Sequence, residues 1–186
     1  MANKISRLVI TLTVIGIISA LVLTFVYFFT KPYIEKHQLE NRKKAIFQVL
    51  PGATEYEKKE VNNTDIYLGL DENNNRVGVA VEKKGGGFQG MINLMIGVDL
   101  DSRKILGIKI LKHEETPGLG ARITGDFKEQ FKGKAFADYQ VVKNIEEGKN
   151  NQIEAITGAT ISSEKVTSIV EKAIDDLQEL KKEGLQ

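Results

Sequence analysis

Two short segments of this 186-residue chain hold residue types that could do chemistry. The first is Glu154-Ala155-Ile156-Thr157-Gly158-Ala159-Thr160-Ile161-Ser162-Ser163, which leads into an apolar-periodic stretch. A hydroxyl here can be a helix N-cap; Thr160 or Ser162 suits that role, and Glu164 is favourable in the first turn. A cap uses one hydroxyl and leaves three around the Gly-Ala pair. Free amides and the positive end of a helix dipole make a seat for a phosphate. A hydroxyl on a small-residue loop is also open to a modifying enzyme. The second segment is His113-Glu114-Glu115-Thr116-Pro117-Gly118-Leu119-Gly120. Pro117-Gly118 and Gly120 specify a tight turn with exposed amides. Leu119, held between two glycines, has two readings of equal weight: an apolar surface for a flat ring, or a turn leucine tucked into the core. His113 and the two glutamates form a thin metal set, because the other histidine, His37, lies far away in the chain. Solvated side chains are expected for all three.

The elements that must position these loops follow from periodicity. Ile92, Leu94, Ile96, Val98 and Leu100 alternate with Asn93, Met95, Gly97 and Asp99, and Leu106, Ile108 and Ile110 run back after the turn Asp101-Ser102-Arg103. That pattern predicts a hairpin from Gly90 to Lys112. Ile66, Leu68 and Leu70, then Val77, Val79 and Val81 beyond Asp71–Asn75, predict two more strands. Gly85-Gly86-Gly87 is too short for a linker and suits a bulge or a close backbone approach. Val166, Ile169, Val170, Ala173, Ile174, Leu177 and Leu180 form the stripe of a helix from about Ser162 to Lys182. Strands flanked by helices predict an α+β domain with a mostly antiparallel sheet.

Ahead of this domain, Leu8 to Phe29 holds no charged residue. As a helix it spans roughly 33 Å, enough to cross a bilayer core. Phe25, Tyr27, Phe28 and Phe29 gather at its exit like an interfacial belt, so an uncleaved anchor is preferred over a signal peptide. Charges flank both ends, and counting them leaves the orientation open. Beyond Pro32 a short linker and a helix over Tyr33–Leu50 are expected, stopped by Pro51-Gly52. The organisation read from the sequence is an anchor at 1–31, a juxtamembrane helix at 32–52 and a domain at 53–186.

Composition removes several function classes. No cysteine means no disulfide and no protein-ligated iron–sulfur cluster. A net charge of +1, with acids interleaved among the lysines, argues against a nucleic-acid partner. No dinucleotide fingerprint follows a strand, and the apolar run has no intramembrane charge to serve as an ion path.

Thr157-Gly158-Ala159-Thr160 followed by Ile161-Ser162 resembles the S/T-G-A-T-x-S/T signature of domains that hold FMN through a phosphoester. Glu115-Thr116-Pro117-Gly118-Leu119-Gly120 resembles the second hallmark loop of that family. With the anchor, the Val49-Leu50-Pro51-Gly52 stop and the hairpin, the resemblance covers most of the chain. It extends to the G subunits of Rnf electron-transport complexes, with the C subunit of the sodium-pumping NADH:quinone oxidoreductase as a related case. One position departs: the family usually has aspartate where this chain has Glu154. The resemblance implies FMN esterified to Thr160 by a flavin transferase that splits FAD and releases AMP. It implies that Thr157, Gly158, Ala159 and Ile161 frame the phosphate and ribityl chain, and that Thr116, Leu119 and Gly120 contact the isoalloxazine. It further implies an extracytoplasmic domain, other membrane subunits as partners, and an electron relay between ferredoxin and NAD coupled to ion movement, with no NAD site of its own. A stand-alone membrane flavoprotein and a colourless scaffold module are the alternatives.

Overall fold

The computed structural model describes residues 2–61 and 63–182. The chain separates into two compact units, Met1–Asn41 and Arg42–Gln186.

Helix α1, Ala2–Val49, is continuous and has Pro32 inside it. This differs from the linker expected at Pro32. A proline costs a helix one backbone donor and crowds the carbonyl four residues back, which kinks a helix without obliging it to end. The apolar stretch is exposed throughout, from Leu8 to Phe29. α1 is long and apolar enough to cross a membrane. Its threonines are already satisfied along the helix. Thr11, Thr13, Thr24 and Thr30 donate to the carbonyls of Arg7, Val9, Ala20 and Val26 at 2.8–2.9 Å, so these four hydroxyls would not enter lipid as unpaired donors.

The second unit is built on five strands: β1 Glu55–Val61, β2 Thr64–Leu70, β3 Arg76–Gly86, β4 Met91–Asp99 and β5 Lys104–His113. They lie side by side in chain order, each antiparallel to its neighbour. The predicted hairpin is β4–β5. Its turn is tied by Asp99, whose carboxylate accepts from the amides of Asp101 and Ser102 and the hydroxyl of Ser102. Two 3-10 helices follow, Gly120–Thr124 and Asp126–Phe131. Then come a parallel pair, β6 Gln140–Val142 and β7 Gln152–Glu154, and helix α2, Thr160–Lys182. The α+β class with a mostly antiparallel sheet is the observed architecture. β1, β6 and β7 are additions to the sequence reading: β1 is a polar, mostly exposed edge, and β6 and β7 are three residues each.

The alternation of β4 sorts its side chains onto two cores. Ile92, Leu94, Ile96 and Val98 face α2 and the 3-10 helices, where Val166, Val170, Ala173 and Leu177 are fully buried. Met95 faces the other way, onto Ala45, Ile46, Val49 and Leu50, so the sheet is covered on both sides. Glycines set the approach on each face. A Cβ at Gly85 would strike the side chain of Ile169 in α2, and one at Gly97 would strike the carbonyl of Val49. Within the run at 85–87, Gly85 thus serves close approach, one of the two uses read from the sequence.

Gly97→Ala is expected to cost about 1–3 kcal/mol, because the obstacle is backbone that cannot turn aside. Gly86→Ala, whose Cβ would meet nothing within 4 Å, should stay within about 0.5 kcal/mol. Chemical unfolding of the detergent-solubilised chain compares them; equal losses would refute the close approach at Gly97.

Candidate functional site

The loop before α2 is built around two buried serines. Ile156 to Ala159 form a turn closed by Ala159 N donating to Ile156 O at 2.8 Å, with Gly158 at φ +80°. Ser163 clasps this turn to the helix. Its Oγ accepts from Ile156 N and donates to Ala159 O, both at 3.0 Å. Ser163 N also donates to Ala159 O, which begins the helical ladder. Ser162 turns elsewhere and donates to Glu115 Oε2 at 2.5 Å. The helix starts two residues earlier than expected, so Thr160 lies inside its first turn and neither Thr160 nor Ser162 acts as the N-cap side chain.

Thr160 is left exposed, and its hydroxyl has no hydrogen-bond partner among the described residues. The amides of Thr160, Ile161 and Ser162 likewise lack partners there. Together they give one free nucleophilic oxygen and three unpaired donors at the positive end of a 23-residue helix.

The second loop supplies the facing wall. Thr116 O accepts from Leu119 N at 3.3 Å and Ala121 N at 3.0 Å. Pro117 and Gly118, the latter at φ +76°, occupy the middle of that turn. Leu119 is 48% exposed, so it is not tucked into the core. It reaches across to the other loop, where a Cβ on Gly158 would sit 3.3 Å from its Cδ2.

Between the loops is a cleft of about 350 Å³ lined by Thr116, Leu119, Gly120, Gly158, Ala159, Thr160 and Ile161. Seven of the eight residues singled out in the sequence therefore meet in one place. The eighth, Thr157, lines an adjoining cleft with Glu154 and Arg122. Three further residues line the central cleft: Phe88, which carried no sequence signal, and Glu115 and Ser162, which lay within the two loops but were given no part in holding the ligand. Phe88 is 60% exposed at the β3–β4 turn, and with Leu119 and Ile161 it gives the cleft apolar edges. Glu115 corrects an expectation outright. It is only 4% exposed instead of solvated, because its carboxylate accepts bonds from two other segments of the chain.

The arrangement suits a phosphate joined to a flat apolar ring system. The anion would sit by the free amides, and the ring would lie between apolar edges. Gly120 keeps the floor open, since a Cβ there would fall 2.6 Å from Glu115 Oε2 and 2.8 Å from Ser162 Oγ. FMN fits this donor set.

Comparison with known proteins agrees with that chemistry. Residues 87–175 match an FMN-binding domain, and residues 1–49 match an RnfG N-terminal region. The chain is 36% identical over 183 residues to the G subunit of an ion-translocating oxidoreductase complex from Methanosarcina acetivorans, covering 94% of this chain and 95% of that protein. It is 32% identical to the G subunit of a proton-translocating ferredoxin:NAD(+) oxidoreductase complex from Clostridium ljungdahlii, covering 94% and 92%. It is 33% identical to the Na(+)-translocating counterpart from Acetobacterium woodii, covering 95% and 93%. The fold resembles that of Shewanella oneidensis NqrC, with a TM-score of 0.55 at 22% identity over 69% of this chain and 68% of that one.

Gly158→Ala should lower stability by more than Gly118→Ala. Both place a Cβ at positive φ, a strain of about 1–2 kcal/mol, but only Gly158 also presses on Leu119. Equal unfolding midpoints for the two variants would show that the contact between the loops carries no energy.

Proposed function

We propose that this chain, which belongs to the family of G subunits of ion-translocating oxidoreductase complexes, holds FMN through a phosphoester on Thr160 and relays electrons within its membrane complex. The family supplies an FMN-binding domain and an oxidoreductase complex as the setting, and the chain carries a helix long and apolar enough to cross a membrane. The observation that carries the finer reading is the division of labour among hydroxyls at the start of α2. Ser162 and Ser163 are buried and engaged, whereas Thr160 is exposed and free. Among the described residues only Thr160 combines a free oxygen with the unpaired amides of the helix start.

On this reading Thr160 Oγ is the acceptor: in a flavin transferase it attacks the FMN phosphorus of FAD and loses its proton, the pyrophosphate P–O bond breaks, and AMP departs. The amides of Thr160, Ile161 and Ser162 stabilise the resulting phosphodiester anion, a contribution of about 0.3–1 kcal/mol from the helix terminus. Ala159 and Gly158 keep the approach narrow but unobstructed. Leu119, Phe88 and Ile161 shield the ring from water, and Thr116 and Gly120 present backbone and hydroxyl groups to its edge. FMN, when bound, supplies one- and two-electron redox chemistry that the side chains of this cysteine-free chain do not provide. A covalent tether suits this setting, because a relay that faces a partner must stay partly open and would otherwise lose its cofactor.

Other members of the complex are the electron donor and acceptor. The relatives named for protons and for sodium are about equally similar to this chain. The chain is thus read as a redox relay, with ion choice made elsewhere. On this reading the flavin domain lies outside the cytoplasm, as the family resemblance implies.

Two measurements test this. Expressed with a flavin transferase, the chain should give a gel band whose flavin fluorescence survives denaturation. Thr160→Ala should abolish that signal and Thr157→Ala should retain it; a labelled Thr160→Ala would overturn the assignment. Because the chain has no cysteine, Lys172→Cys on the exposed side of α2 makes a clean topology probe. It should react with a membrane-impermeant maleimide in intact cells, and reaction only after lysis would reverse the orientation.

A further inference from the structure

We propose that the buried carboxylate of Glu115 is a positioning residue that locks the two walls of the cleft to each other, and through them fixes Thr160. The inference rests on reading the cleft as the FMN seat.

Glu115 Oε1 accepts from the amides of Phe88 at 2.7 Å and Gln89 at 3.3 Å, in the β3–β4 turn. Glu115 Oε2 accepts from Ser162 Oγ in the first turn of α2. One side chain thereby joins segments 27 and 47 residues away. Its own amide donates to His113 Nδ1 at 3.2 Å, which steadies the backbone from which it reaches.

Burial makes this placement costly, and no cation pairs with Glu115 among the described residues. A buried carboxylate held by dipoles alone loses more hydration than an ordinary turn residue would. Two glycines are arranged around it as well. A Cβ at Gly87 would strike Glu115 Oε1, and one at Gly120 would crowd Oε2. A plain turn needs neither the acid nor the space kept clear for it. A carboxylate, by contrast, can accept at both oxygens from one rigid plane, which suits it to bridging two walls.

The geometry gives the bridge a consequence. Ser162 is two residues from Thr160 on the same helical turn, so fixing one fixes the other's backbone. Phe88, on the opposite bond, stands among the apolar edges of the cleft. Glu115 therefore sets the width of the slot and the place of the attachment oxygen together.

Amide hydrogen exchange on the full detergent-solubilised chain tests the bridge without any flavin. Ser162→Ala should speed exchange at Phe88 and Gln89 several-fold, although Ser162 touches neither. In the presence of flavin transferase the same variant should slow labelling of Thr160 by about tenfold. It should also weaken the visible circular dichroism of the attached flavin. Glu115→Gln keeps an acceptor for the two amides and should fall between wild type and Ser162→Ala in all three readouts; it also serves if Ser162→Ala fails to fold. Unchanged exchange at Phe88 and Gln89 would overturn the proposal, whether or not labelling slows. A wild-type chain that takes no label while the exchange coupling persists would sink the covalent FMN reading and leave the bridge standing.

Discussion

The start of α2 has to be held firmly while one of its hydroxyls is kept out of use, and the rest of the domain answers to that constraint. Helix starts present unpaired amides and are normally closed by a side-chain cap. Here closure is carried out from below. Ser163 stitches the Ile156–Ala159 turn to the helix, and Ser162 is drawn to Glu115. Neither bond consumes the exposed donors at the top of the turn. Anchoring and openness, which compete when a single N-cap does both, are assigned to different residues.

The sheet makes that assignment possible. α2 can lie low across β3 because Gly85 has no side chain to meet Ile169. The helix is then immobilised along its length by Val166, Val170, Ala173 and Leu177, so its first turn inherits a fixed position. On the reverse face Gly97 allows Val49 to approach, and residues 42–50 cover Tyr67, Ala80 and Met95. Polar ties reinforce the same contact. Arg42 pairs with Glu82 at 2.9 Å, and Glu82 accepts from Asn93 at 2.7 Å. Burial also pushes the Tyr67 phenol up, with Arg42 acting against that shift. The far end of α2 is tied by Lys181 to Asp101, whose carboxyl is lowered chiefly by that hydrogen bond and then by Arg76.

Much of this was legible in the residues. Strands β2 to β5 could be read because their alternation reflects a buried position on a pleated surface, and α2 could be read because its apolar stripe follows helical periodicity. The two loops stood out because glycine, proline and clustered hydroxyls depart from both patterns. The edge strand β1 was not legible, since Glu55 to Glu60 carry charges wherever the chain goes. The parallel pair β6–β7 depends on a partner at long range, and three residues are too few to show a period. Pro32 was misleading, because its cost is local and a long helix with strong flanking turns carries it.

By itself, then, the sequence determined the class of fold, a helix long and apolar enough to cross a membrane, the two chemical loops and the threonine to suspect. These are properties of local periodicity and residue type. Only the tertiary structure decided which hydroxyls are spent and which is free, because hydrogen-bond partners are chosen among residues brought together from afar. It also decided the fate of Glu115. In sequence it is one of two adjacent glutamates beside a turn, and nothing in its type distinguishes it from Glu114. In space it is the acceptor on which Phe88, Gln89 and Ser162 converge. Burial of an acid is settled by the donors that folding delivers to it, and those lie 26 to 47 residues away.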